Sequence, residues 1–386
     1  MLNLSEDQSK ALKSLLDWYK SKNRSEYITL GGYAGTGKTT LISIFRNEIH
    51  SQDKGLRVAF CSFTGKATRV LKNKLNVINA IFPKDTVSTI HSLIYSPETN
   101  SKDEIVGWNR KQTIDADLII IDEASMVDYE IWSDLMRYKK PIIAVGDHGQ
   151  LPPINGNFNL MKEPEIRLTE IHRQAKDNPI INLSILARES GKIPFGNFGD
   201  GVKKVERNNY ESQETVGEKM KNYNSETLIL CGYNNTRVRL NKYIRQSLEF
   251  EGEHPKIKDR VICLRNNHEK EIYNGMLGTV TNIKVFDNDW YDAKIEMDDG
   301  IMFNGLIFAS QFNNAQSLNF TKERGMSAKG NLFDYGYALT VHKSQGSQAK
   351  RVILFEERFK HMDDDMWRRW LYTAVTRASE ELFILG

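Results

Sequence analysis

The sequence predicts an α/β fold in two units built on parallel sheets, the second unit interrupted by a small all-β insertion. Three observations predict it. Apolar runs of strand length, such as 118–121 and 227–231, alternate with helical stretches, the pattern of strands buried on both faces. A glycine-rich turn, Gly32-Tyr33-Ala34-Gly35-Thr36-Gly37-Lys38-Thr39, joins one such run to a helix. Residues 253–325 change character to short alternating segments separated by glycine and Asn-Asp turns, which predicts a small barrel.

Residues 5–20 read as an amphipathic helix. Leu12, Leu15, Leu16 and Tyr19 recur at helical period, and Ser5 and Gln8 have capping-box spacing. A strand at 27–31 runs into the glycine turn, and a helix follows at about 38–50. Strand 57–62, helix 65–75 and strands 117–121 and 141–145 continue the alternation, with a polar, turn-rich insertion at 92–116. The first unit is placed at 1–164 and the second at 165–252 with 328–386. The second unit carries a helix near 178–190, strand 227–231 and a helix at 234–248. The all-β insertion, 253–327, has strands at 260–264, 277–285, 293–297 and 301–308. Strands 336–340 and 351–355, a helix near 364–378 and a last strand at 381–385 complete the chain.

The 386 residues suffice for two or three domains, and 40% hydrophobic with 27% charged residues is an ordinary globular composition. A net charge of +3 excludes a histone-like polycation but leaves room for a basic groove balanced by acid elsewhere. Cys61, Cys231 and Cys263 are far apart, so neither a zinc site nor an iron–sulfur cluster is expected. The first residues lack a signal peptide's apolar core, and no apolar run approaches the roughly 20 residues of a membrane span. A soluble, cytoplasmic protein is expected.

The segment from Gly32 to Thr39 matches G-x-x-x-x-G-K-[ST] between a strand and a helix, the context a phosphate loop requires. Glycines let backbone N–H groups wrap a phosphate, and the helix N-terminus adds positive dipole. Lys38 neutralises the β- and γ-phosphates, and the Thr39 hydroxyl suits Mg²⁺. The run Leu118-Ile119-Ile120-Ile121-Asp122-Glu123 is a buried strand ending in two carboxylates. Asp122 would hold the Mg²⁺ through water, and Glu123 would orient and deprotonate an attacking water. Such a pair is also common as a helix cap. Gln150, in Gly146-Asp147-His148-Gly149-Gln150-Leu151-Pro152-Pro153 after another apolar strand, is placed to sense the γ-phosphate; a polar turn is the plainer alternative.

With these residues in place the chain resembles superfamily 1 helicases of the RecD-like and Dda-like branch, in motif order over nearly its whole length. Phe63-Thr64-Gly65-Lys66-Ala67 and Thr89-Ile90-His91 resemble the family's single-stranded DNA motifs of the first lobe. Leu168-Thr169-Glu170-Ile171-His172-Arg173-Gln174 resembles the segment whose arginine meets the γ-phosphate. Asp122-Glu123-Ala124-Ser125 and the Gly146–Pro153 segment resemble motifs II and III, and Leu339-Thr340-Val341-His342-Lys343-Ser344-Gln345-Gly346 and Leu371-Tyr372-Thr373-Ala374-Val375-Thr376-Arg377-Ala378 resemble motifs V and VI. The resemblance implies two RecA-like P-loop NTPase lobes. It implies a duplex-splitting hairpin in the first, at 92–116, where Tyr95 and Trp108 are the aromatics, and a Src-homology-3-like barrel in the second.

The resemblance also implies roles. Gly35, Thr36, Gly37, Lys38, Thr39, Thr40, Gln345 and Gly346 bind ATP; Gln8 hydrogen-bonds adenine or serves only as the helix cap; Arg173 and Arg377 reach the γ-phosphate. Phe63, Thr64, Lys66, His91, Pro152, His342 and Lys343 touch DNA. Two arginines far along the chain can meet one phosphate only if ATP lies in a cleft between lobes, whose closing and opening would ratchet a strand. The expected activity is ATP-dependent, 5′→3′ translocation on single-stranded DNA and unwinding of forked duplex DNA. The expected form is a monomer in the cytosol of a bacterial cell, host- or phage-encoded, with single-strand-binding or replication proteins as partners. Two alternatives stay open. One is an RNA helicase of the same superfamily, since only the 2′-hydroxyl separates the substrates. The other is a nucleotide-gated switch that does not translocate. Replication, recombination and repair are all compatible.

Overall fold

The computed structural model describes residues 4–99, 105–153, 158–171, 177–267, 269–298, 300–318 and 324–386. The chain divides into two compact units, Met1–Asn182 and Leu183–Gly386.

In the first unit, α1 (Glu6–Lys20) leads into β1 (Tyr27–Gly32), α2 (Lys38–Gln52), β2 (Val58–Ser62), α3 (Gly65–Val77), β3 (Thr86–Thr89) and α4 (Ile90–Ile94). A hairpin of β4 (Tyr95–Thr99) and β5 (Ile105–Arg110) precedes β6 (Leu118–Asp122), α5 (Tyr129–Met136), β7 (Ile142–Gly146) and β8 (Ile166–Leu168). Six strands form one parallel sheet in the order β3-β2-β6-β7-β1-β8. Its apolar runs are continuous because both faces are covered: Ile120 packs in one core layer with Leu30, Leu41 and Phe45, while Ile119 and Ile121 pack in the other with Trp132 and Leu135. The phosphate-loop strand β1 is an interior strand, paired with β7 on one side and β8 on the other. The crossover order brings the carboxyl ends of β1, β2, β6 and β7 to one edge, where open α/β sheets carry their ligands.

β8 corrects the expected boundary. It pairs with β1, Gly32 opposite Leu168, so residues 166–168 belong to the first sheet and not to a second unit starting at 165. Three residues of long-range pairing leave no local signal by which to assign them.

The second unit has α6 (Pro179–Ser190), which spans the division, then β9 (Gly196–Gly199), β10 (Val202–Val205), α7 (Tyr210–Lys221), β11 (Thr227–Cys231) and α8 (Asn234–Ser247). The all-β part follows as β12 (Arg260–Cys263), β13 (Leu277–Val285), β14 (Trp290–Met297) and β15 (Met302–Phe308), then α9 (Arg324–Lys329) and β16 (Phe333–Tyr335). The chain ends with β17 (Ala338–Thr340), β18 (Ala349–Phe355), α10 (Asp364–Val375) and β19 (Ala378–Leu385). The main sheet runs β17-β11-β18-β19-β10-β9, parallel except for the β9–β10 hairpin.

The inserted sheet is antiparallel, β15-β14-β13-β12-β16, and its edges meet where Asn331 bridges Ile307. Its fifth strand lies beyond the expected limit of 327. The chain returns to the main sheet at Gly336, where a Cβ would stand 2.7 Å from Leu277 Cδ2 and 2.8 Å from the Val261 carbonyl carbon. No side chain fits that crossing, so the strand expected at 336–340 starts only at Ala338, and residues 333–335, not expected as a strand, pair into the inserted sheet. A buried ion pair, Arg237 Nη1 to Asp334 Oδ2 at 2.6 Å, ties α8 to β16 and so fastens the insertion to its unit.

Candidate nucleotide site and nucleic-acid contacts

The loop between β1 and α2 is shaped by its glycines. Gly35 (φ 81°) and Gly37 (φ 76°) take left-handed conformations open to glycine at little cost. A Cβ on Gly32 would lie 2.6 Å from Thr36 Oγ1. Gly37 is the N-cap of α2 with no side-chain cap, and no acidic residue lies in the helix's first turn. A 15-residue helix thus points its first N–H groups into the loop, an arrangement suited to phosphate. Lys38 Nζ donates to the carbonyls of Gly32 (2.6 Å) and Tyr33 (3.1 Å), and Thr36 Oγ1 donates to Tyr33 O (2.8 Å). Thr39 and Thr40 are the next two residues of α2.

Gln8 does two things at once. Its backbone N–H donates to Ser5 Oγ and its Oε1 accepts from the Ser5 N–H, completing the capping box. Its Nε2 donates to the Thr36 carbonyl at 3.1 Å, so the helix cap also clamps the phosphate loop. The neighbouring Asp7 was not legible as a site residue. Its Oδ2 accepts from the N–H groups of Thr169 (2.7 Å) and Glu170 (3.1 Å), holding the chain where it leaves β8. In sequence it is only an acid in a first helical turn, the ordinary dipole partner. Arg173 lies outside the described residues.

Both carboxylates stand at the carboxyl end of β6. Desolvation pushes the Asp122 carboxyl above its usual range, opposed by the charges of Lys38 and Lys74. A desolvated acid beside the loop lysine is one that a divalent cation would ionise, so Thr39 and Asp122 fit a Mg²⁺ site. Glu123 sits at φ 55°, left-handed backbone that costs a non-glycine residue about 1–3 kcal/mol. Nothing in helix capping requires this, since its side chain makes no cap bond to the 3-10 turn Ala124–Met126. The turn instead re-aims a carboxylate directly after β6.

Gln150 is buried and donates to Asp147 Oδ2 at 3.4 Å, while Asp147 Oδ1 accepts from the Gly149 N–H. The His148 ring lies 4.2 Å from the Tyr33 ring, joining this turn to the phosphate loop. The structure therefore brings Gln8, the loop, Asp122, Glu123 and Gln150 to one sheet edge.

The first-unit residues expected to meet DNA stand at the ends of β2 and β3 on that same edge, with Pro152 in the turn after β7. Several also have structural work. Phe63 packs on the core, and Thr64 caps α3 by accepting from the Ala67 N–H at 3.2 Å. Lys66 lies in the first turn of α3. His91 packs between Tyr95 (4.6 Å) and Trp108 (4.7 Å). Both hairpin aromatics thus pack on His91, Tyr95 from the base of the hairpin and Trp108 from opposite Pro97, with the Tyr95 hydroxyl donating to Asp134.

In the second unit, the turn His342–Ser344 follows β17, and Gly346 (φ 72°) ends the loop. Burial lowers the His342 imidazole's affinity for a proton and pushes the Lys343 ammonium down to about 8, with the Arg237 charge adding to the effect and Asp334 opposing it. Gln345 is buried. Arg377 is buried too, its Nε donating to Thr373 O (3.0 Å) and its Nη1 to Ser347 O (3.1 Å) and Ser344 O (3.5 Å). It is thereby tied to the 344–347 loop, a neighbourhood that spacing alone did not reveal.

A family model described as an AAA domain matches residues 3–209, and one described as a UvrD-like helicase C-terminal domain matches residues 335–385. The chain is 27% identical over 416 residues to the ATP-dependent RecD2 DNA helicase of Deinococcus radiodurans, covering 99% of this chain and 49% of that protein. It spans about half the length of that relative or less of the next, 37% of an uncharacterised protein of Methanocaldococcus jannaschii. It is 24% identical to the ATP-dependent DNA helicase dda of Enterobacteria phage T4, covering 99% of each. Among solved structures, Bacteroides Pif1 bound to single-stranded DNA shares the fold, with a TM-score of 0.56, 19% identity, and coverage of 100% of this chain and 93% of that one.

Proposed function

The chain belongs to the AAA-domain family and to the RecD-like and Dda-like branch of superfamily 1 helicases, and on that premise we propose that it is an ATP-dependent single-stranded DNA translocase that unwinds duplex DNA with 5′→3′ polarity. The observation that carries the reading is the single sheet edge holding an uncapped helix N-terminus, Lys38, a desolvated Asp122 and a strained Glu123. Lys38 leaves its two loop carbonyls for the β- and γ-phosphates. Thr39 and Asp122 would hold Mg²⁺, which when bound offsets phosphate charge. Glu123 takes the proton of the attacking water, and Gln150, fixed by Asp147, reports the γ-phosphate. The reading requires Arg173 and Arg377 to meet that same phosphate, and Arg377 carries the 344–347 loop with it when it does. Because Lys343 lies on the same loop segment as Gln345, nucleotide state then reaches the strand. The protein would work in the cytosol of a bacterial cell, from a host or phage gene, as a monomer on single-stranded and forked DNA, with single-strand-binding or replication proteins beside it. Unwinding of forks with 5′ or 3′ tails, with Lys38→Ala as the inactive control, tests the reading.

Lys343 makes the DNA contact titratable. Its ammonium is charged below about pH 8 and loses the proton above it. Affinity for single-stranded DNA is therefore expected to fall as pH rises through 8, and Lys343→Arg is expected to flatten that fall. A pH profile identical in parent and variant removes Lys343 from the contact set.

A further inference from the structure

The all-β insertion returns one loop, residues 311–318, to the turn that carries Lys343, and Lys343 Nζ donates to Ser317 Oγ at 3.4 Å. The loop is held from three sides. Arg237 on α8 donates from Nη2 to the Asn314 carbonyl at 2.7 Å. Asp334 on β16 accepts from the Asn313 N–H at 3.0 Å. Gln311, wholly buried, donates to the Gln316 carbonyl (3.1 Å) and accepts from the Leu318 N–H (2.8 Å), so one side chain pins both neighbours of Ser317. Ser317 itself is exposed, and none of the bonds that hold the loop uses its hydroxyl. The fold thus presents that hydroxyl at a fixed place without spending it on the loop's own shape.

Lys343, its partner, has no countercharge of its own. The charged groups acting on it are Arg237 and Asp334. Asp334 is already taken by Arg237 at 2.6 Å, and Lys343 forms no ion pair among the described residues. Burial and the Arg237 charge both disfavour the cation at this half-buried position, against the weaker pull of Asp334. A lysine can extend its long stem into water, so a lysine kept here is not explained by stability. A place that disfavours an uncompensated cation is one where an incoming anion is favoured. Ser317 Oγ accepts from Lys343 and still has its own O–H to donate. Two donors 3.4 Å apart can reach two oxygens of one phosphate.

We propose that Ser317 and Lys343 together hold one backbone phosphate of the single strand, which makes the loop 311–318 of the insertion part of the strand-binding surface. The inference rests on the DNA-translocase reading above and deepens it, by giving the insertion a part in the contact. The contact is independent of sequence, because it reaches the backbone and not the bases. The hydroxyl adds a hydrogen bond and no charge, so its share is separable from the lysine's by salt.

The test is salt-dependent binding of a single-stranded DNA oligonucleotide to the full chain and to Ser317→Ala, Ser317→Thr, Lys343→Gln and the double variant Ser317→Ala, Lys343→Gln. Below pH 8, Ser317→Ala is expected to bind roughly three- to tenfold less tightly, the worth of one hydrogen bond, with the salt slope unchanged. Lys343→Gln is expected to make the log–log slope shallower by about 0.7, one single-strand phosphate contact. Ser317→Thr keeps the hydroxyl and retains parent affinity, which separates the hydrogen bond from loop packing. Adding Ser317→Ala to Lys343→Gln costs less than it costs the parent, because the two groups share one phosphate. Parent affinity in Ser317→Ala overturns the proposal, and so do a Ser317→Thr as weak as Ser317→Ala and an additive double variant. Loss of ATP affinity in Ser317→Ala without DNA assigns the pair to a nucleotide phosphate and overturns it too. A parent chain that binds no single-stranded DNA fails the translocase reading itself, a result distinct from all of these.

Discussion

Glu123→Gln is expected to bind ATP as tightly as the parent chain and to hydrolyse it about 10²–10⁴-fold more slowly, the range for loss of a positioned general base. The substitution keeps size and shape at a backbone position of φ 55° and removes only the ability to accept a proton. Lys38 and the uncapped start of α2, to which the proposal assigns affinity, are untouched. Single-turnover hydrolysis measured beside equilibrium nucleotide binding separates the two terms. Retained turnover would remove Glu123 from the general-base role; a parallel loss of binding would make its role structural.

The second large effect is on stability. Arg46 and Asp85 are wholly buried and form a two-pronged pair, Nε to Oδ2 at 3.0 Å and Nη2 to Oδ1 at 2.8 Å. Asp85 also accepts from the N–H groups of Phe82 and Val58, and the guanidinium lies 4.6 Å from the Phe82 ring. Asp85→Ala leaves two N–H groups in the core unanswered and a buried guanidinium with only the Leu56 carbonyl at 3.4 Å. Breaking a buried pair from one side costs about 3–5 kcal/mol, which in a unit of this size lowers the melting temperature by roughly 10 °C. Asp85→Asn, which keeps one acceptor, is expected to lose less. Thermal or urea unfolding decides, and a cost below about 1 kcal/mol contradicts the account.

The same pair shows where sequence reading stops. Arg46 sits on the phosphate-loop helix and Asp85 just before β3, and nothing in their spacing reveals the partnership. What was legible had a local cause. The strands of the parallel sheet announce themselves because burial on both faces demands an unbroken apolar run, as in Leu118–Asp122. The capping box of Ser5 and Gln8 is local chemistry, and it forms as spaced. The phosphate loop is local as well, since its glycines answer to backbone sterics. β3, Thr-Val-Ser-Thr, was not legible because it is an edge strand with a polar face, and β9, Gly-Asn-Phe-Gly, has no apolar run at all. The Gln8 bond to Thr36, the Asp7 hold on Thr169 and the burial of Arg377 against the 344–347 loop are tertiary. Within each unit they fix motif residues to common elements, the phosphate loop to α1 in the first and Arg377 to the 344–347 loop in the second.

The central claim is that ATP turnover at the phosphate loop drives directional movement on DNA. Strand separation on synthetic forks bearing a single-stranded 5′ tail, a 3′ tail or none, with the parent chain and Lys38→Ala, tests it most directly. The account predicts ATP-dependent unwinding from the 5′-tailed fork alone, abolished by Lys38→Ala. Unwinding only from the 3′ tail, or in the absence of ATP, would contradict it.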